Sequence, residues 1–124
     1  MPRRELLPYL QDILERIDRV ESLVAEIGSY KTLIASNTYM DAFARNFEVI
    51  GEALFQAVKL NPELPVEDRK AIIGLRHIHD YYELEYDRLW VIATSRLQSF
   101  KAEIIDLISS ENQKLFGTDN PNIF

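Results

Sequence analysis

The sequence predicts an all-α fold: an antiparallel bundle of four main helices with short extra helical turns. Apolar residues recur at helical spacing through most of the chain, and no run keeps the two-residue period of a strand over a useful length. The connecting segments are short, which favours helices that double back on their predecessors. At 124 residues with 47% hydrophobic content, one domain with one core is expected over 1–116, followed by a Gly/Asn/Pro-rich tail over 117–124.

The first helix follows the stripe Leu6, Leu10, Ile13, Leu14, Ile17, Val20, Val24 and Ile27, with Asp12, Glu15, Arg16 and Arg19 on the opposite side. Gly28 supplies its C-terminal stop. Ser29 to Ser36 is ambiguous and reads as one short helical turn. Asn37-Thr38 can cap the second long helix, which buries Met40, Phe43, Phe47, Ile50, Leu54 and Val58. Asn61-Pro62-Glu63-Leu64-Pro65 ends it, because proline disfavours a helical residue before it. A third helix starts near Val66-Glu67-Asp68, where acids suit the helix dipole, and runs toward His79. Tyr82 to Tyr86 reads as a turn. The last helix spans about Asp87 to Asn112 and buries Leu89, Ile92, Leu97, Phe100, Ile104 and Leu107.

Composition narrows the function. A net charge of −6 argues against a general nucleic-acid binder, though not against an enzyme that meets RNA at one local basic patch. The absence of cysteine removes thiolate metal sites and thiol nucleophiles. No apolar run approaches the ~18 residues of a membrane span, and acids interrupt the N-terminal segment, so the cytoplasm is the expected compartment.

The informative segment is Gly74-Leu75-Arg76-His77-Ile78-His79-Asp80-Tyr81-Tyr82. It holds a cation, both histidines of the chain, a carboxylate and two phenols. Imidazole takes and gives protons near neutrality, and arginine clamps a phosphate and the charge that develops on it during attack. Together they suit metal-independent RNA cleavage. One imidazole withdraws a 2′-OH proton while Arg76 stabilises the anionic phosphate. A solvated helix end, with His and Arg complementing the dipole, has the same composition. A metal site is disfavoured, since His77, His79 and Asp80 cannot all point one way on a helix. No cofactor is implied.

The order of these features resembles the HepT branch of the HEPN superfamily, whose hallmark is Arg, four to six residues, then His-x-Tyr. Arg45-Asn46-Phe47-Glu48-Val49-Ile50-Gly51-Glu52-Ala53 resembles that family's second-helix signature, Gly74-Leu75-Arg76 the approach to its catalytic arginine, and His79-Asp80-Tyr81 its His-x-Tyr. Trp90 stands where a tryptophan opens the last helix. The resemblance covers residues 5 to 112 and implies an endoribonuclease toxin acting on RNA, tRNA in particular, with Arg76 and His79 catalytic. It implies a homodimer with one cleft lined by both subunits. It also implies a minimal nucleotidyltransferase antitoxin that transfers AMP to the hydroxyl of Tyr81. Arg45, Asn46, Glu52, His77 and Asp80 are then expected to support the cleft.

One departure matters. Only two residues separate Arg76 from His79, where the family has at least four. At ~100° per helical residue, losing two re-aims the flanking halves by ~200° and shortens the segment by ~3 Å. Either the helix continues and makes Arg76 and His79 i,i+3 neighbours, or it ends early. Impaired cleavage is the expectation. The other reading is a non-catalytic helical dimer that docks the antitoxin and presents Tyr81. Phe43, Phe47, Phe55, Trp90 and Phe100 follow apolar stripes and are expected in the core or a dimer contact. Leu7, Leu23, Val49, Ala53 and Ala57 flank those stripes and suit a dimer.

Overall fold

The computed structural model describes residues 2–80 and 84–116, and side chains over 5–77 and 86–115. All regular structure among the described residues is helical: α1 (Pro2–Ile27), α2 (Tyr30–Ile34), α3 (Asn37–Leu60), α4 (Arg69–Gly74), a 3-10 segment (Leu75–Asp80), α5 (Leu84–Val91), a π-helical stretch (Ile92–Arg96) and α6 (Leu97–Phe116). The core is where α1 packs on α3 and α6, while α4 and the 3-10 segment lie against another face of α3. Leu10, Ile13, Ile17, Phe43, Leu54 and Ile104 are fully buried in it. Phe43 and Phe47 meet edge to face at 5.3 Å, a geometry their ring quadrupoles favour.

The expected stripe of α1 is the one that packs, and Gly28 ends it at φ 82°. That left-handed conformation costs a residue with a Cβ about 1 kcal/mol or more. Serines cap both α2 and α3, the second one residue earlier than expected. Ser29 caps α2 by accepting from the amide of Thr32 at 3.2 Å. Ser36, not Asn37 or Thr38, caps α3 by accepting from the amide of Tyr39 at 3.2 Å. A serine one residue before Asn-Thr had equal capping chemistry, and only backbone geometry chooses between them.

The second half of the chain departs further. The third helix starts at Arg69 rather than near Val66, and Asp68 pairs with Arg96 at 3.0 Å without making a side-chain cap. The last helical run starts at Leu84, inside the expected turn, and continues to Phe116. It is widened over Ile92–Arg96, where Thr94 and Ser95 return their hydroxyls to the carbonyls of Trp90 and Val91. Such back-bonding competes with the backbone ladder and loosens it. Ala53 and Ala57, expected to flank the core and serve a dimer, are buried at 6% and 0% exposure within the chain itself. Tyr81 and the 117–124 tail lie outside the described residues.

Candidate active site

Where α4 meets α3, backbone touches backbone. A Cβ built on Gly51 would stand 2.5 Å from the amide nitrogen of Arg76 and 2.8 Å from the carbonyl oxygen of Ile72. Only glycine allows that approach. Immediately beyond α4 the coil tightens. The amide of Leu75 is shared between the carbonyls of Ile72 and Ile73, and the 3-10 segment is kinked at His77, with φ −106° and ψ 19°. Of the two outcomes the short Arg76–His79 spacing allows, the α-helix ends early. The backbone of His79 and Asp80 belongs to the 3-10 segment, and their side chains lie outside the described ones.

Arg76 is held from three directions. Its guanidinium carbon lies 3.5 Å from the ring centroid of Phe55, a close cation–π contact. Its Nη1 is 3.9 Å from Glu52 Oε1, a loose ion pair, and Glu52 Oε2 accepts from Gln56 Nε2 at 2.8 Å. Its Nε donates to Nε2 of His77 at 3.2 Å. In this contact the Nε2 lone pair of His77 is the acceptor. The lone pair that would act as a base is already committed to Arg76. His77 therefore orients the guanidinium, and the Nη2 edge of the fork has no protein partner among the described residues.

Helical spacing explains this grouping. At 3.6 residues per turn, positions 45, 48, 52, 55 and 59 of α3 form one stripe. It reads Arg45, Glu48, Glu52, Phe55, Lys59, and the 3-10 segment lies over it. Arg45 is exposed and pairs with Glu48 at 2.9 Å. Asn46 lies off the stripe. It is buried to 7% exposure on the α1 side, where Nδ2 donates to the Ala42 carbonyl at 2.8 Å and Oδ1 accepts from Arg16 at 3.3 Å. The structure thus brings Glu52 and His77 to Arg76 and does not bring Asn46, whose contacts join helices.

Phe55 and Lys59 were absent from the expected site. Phe55 reads as one more apolar residue of the stripe, yet it is the platform under Arg76. Its offset of three from Glu52 was the available signal. Phe43, Phe47 and Phe100 are buried as expected, and Trp90 lies 5.9 Å from Phe43. A separate cleft of about 390 Å³ opens between α4 and the last helical run, over Ile72, Leu75, Val91 and Phe100. Arg76 and His77 do not line it.

Arg76 therefore stands beside the end of α4, on an all-helical scaffold, with one guanidinium edge that has no protein partner among the described residues. The family model for ribonuclease HepT-like proteins matches residues 13–107, and the chain belongs to that family. Two candidate RNases of Methanocaldococcus jannaschii are similar to it. One is 28% identical over 92% of this chain and 100% of its own length. The other is 30% identical over 87% of this chain and 91% of its own. No solved structure matches significantly.

Proposed function

We propose that this protein is the toxin member of a bacterial type VII toxin–antitoxin pair. It acts on RNA, tRNA in particular, by metal-independent cleavage that the short Arg76–His79 segment impairs. The observation that carries this reading is the guanidinium of Arg76, fixed on Phe55 where the α-helix stops, its Nη2 edge without a partner among the described residues.

The chemistry assigns few groups. The 2′-oxygen attacks phosphorus as the imidazole of His79 takes its proton, and the bond to the 5′-oxygen breaks as that oxygen takes a proton from water, to which His79 then returns the one it holds. A 2′,3′-cyclic phosphate and a 5′-hydroxyl result. Arg76 stabilises the charge on the phosphate oxygens during attack. The early helix end carries the impairment, since a displaced imidazole loses the near-attack geometry on which proton transfer depends. Arg45 and Asp80 are assigned supporting places at this cleft, and Tyr81 is the proposed acceptor of AMP from a nucleotidyltransferase antitoxin. An AMP there adds bulk and negative charge beside a phosphate site. The same short segment favours a second reading, a non-catalytic dimer that docks the antitoxin and presents Tyr81.

A gel assay of the purified protein on cellular tRNA tests the reading, run beside a variant with two residues inserted after Ile78. The lengthened variant should cut faster. Equal cleavage by both would remove the impairment, and no cleavage by either would leave the second reading.

A further inference from the structure

Several cations of the described residues are matched to acids on this acidic chain. Arg19 pairs with Glu15 at 2.7 Å, Arg96 with Asp68 at 3.0 Å and Lys101 with Glu21 at 2.8 Å. Phe55 is an exception. The ammonium of Lys59 lies 5.3 Å from the centroid of the ring that carries Arg76 at 3.5 Å. Two positive groups therefore converge on one aromatic ring, and the nearby carboxylate of Glu52 only approaches Arg76 at 3.9 Å. The ring quadrupole attracts both cations, and the loose Glu52 pair at 3.9 Å offsets only part of their mutual repulsion. In a protein of net charge −6 this is a local site for an anion with more than one charge.

We propose that Lys59 is the contact for a second backbone phosphate of a single-stranded RNA whose scissile phosphate sits on Arg76. The inference rests on the cleavage reading and adds to it a register, with the strand following α3 from Arg76 toward the C-terminal end of that helix. The residue types fit the roles. Arginine offers a planar fork where geometry matters, whereas lysine offers a mobile point charge suited to a neighbouring phosphate that only needs holding. A lysine in the last turn of a helix also complements the dipole. The two roles separate experimentally, because only the first changes how binding responds to salt.

The probe is a short fluorescein-labelled single-stranded RNA, 2′-O-methylated throughout so that it cannot be cut, followed by anisotropy across a salt series. Lys59→Ala should weaken binding alike across sequences and reduce the steepness of log K against log salt by about 0.7. Lys59→Arg should keep the wild-type slope, as should Lys31→Ala, which removes an exposed cation on α2. An unchanged slope in Lys59→Ala, or no binding by the wild type, overturns the proposal. Cleavage by the lengthened chain is scored separately. An unchanged slope with intact cleavage sinks the second phosphate alone, and a reduced slope without cleavage sinks the nuclease reading alone.

Discussion

Asn46 and Glu52 are six residues apart on one helix, and that spacing decides what each can do. Glu52 falls on the stripe beneath Arg76, while Asn46 turns inward and joins α3 to Arg16 of α1. Its loss should therefore appear as lost stability. Asn46→Ala removes the bond that ties α3 to Arg16 and a second bond to the Ala42 carbonyl, and should cost about 1 kcal/mol in urea unfolding. Arg45→Ala, which removes one exposed pair, should stay within about 0.5 kcal/mol. An Asn46→Ala protein as stable as the parent but unable to bind the methylated RNA would move Asn46 into the cleft. At this scale the sequence singled out Arg76 and Glu52, which the fold brings within 3.9 Å, because charged groups announce themselves. It concealed Phe55, because an aromatic at a helical interval reads as core whether it meets a leucine or a guanidinium.

Among the elements, Gly51 and Gly74 look alike in sequence and differ in consequence. Gly51 is where α3 touches the backbone of Ile72 and Arg76, whereas a Cβ on Gly74 meets nothing within 4 Å. Gly51→Ala should force α4 and the 3-10 segment away, costing about 1–3 kcal/mol as overpacking does and carrying Arg76 off Phe55. Gly74→Ala should be neutral or stabilising by about 0.4–1 kcal/mol, since it only restricts the unfolded chain. Unfolding midpoints of the two proteins decide it, and equal midpoints would sink the close approach. The same contact shows why the end of α4 was not legible. The spacing required either a continued or an interrupted helix, and a partner on α3, Gly51, about two and a half turns before that helix ends, was needed to choose. The π-helical stretch was hidden for a related reason, since Thr94 and Ser95 bond carbonyls that a polar helix face could equally have left alone.

For the whole molecule, the helical architecture was legible because periodicity over long segments survives uncertain ends, as the buried stripes of α1 and α3 show. Association was less so. Ala53 and Ala57 turn out to fill this chain's own core, while Ile34, Val91 and Ile105 are the large apolar side chains left exposed among the described residues. The proposed homodimer therefore needs a test at the level of function. A cleft shared across a dimer draws its cation and its imidazole from different chains. In the chain lengthened after Ile78, Arg76→Ala and His79→Ala should each abolish cleavage when present alone. Co-expressed, the two variants form mixed dimers with one site that keeps both groups beside one that has neither. Cleavage of tRNA should then return in the mixed preparation and grow with the fraction of mixed dimers, which differently tagged chains allow to be purified. If each chain instead uses its own Arg76 and His79, every site in a mixed dimer is broken and no mixing ratio restores cutting. That outcome would confine the chemistry to a single subunit and leave the dimer without a catalytic reason.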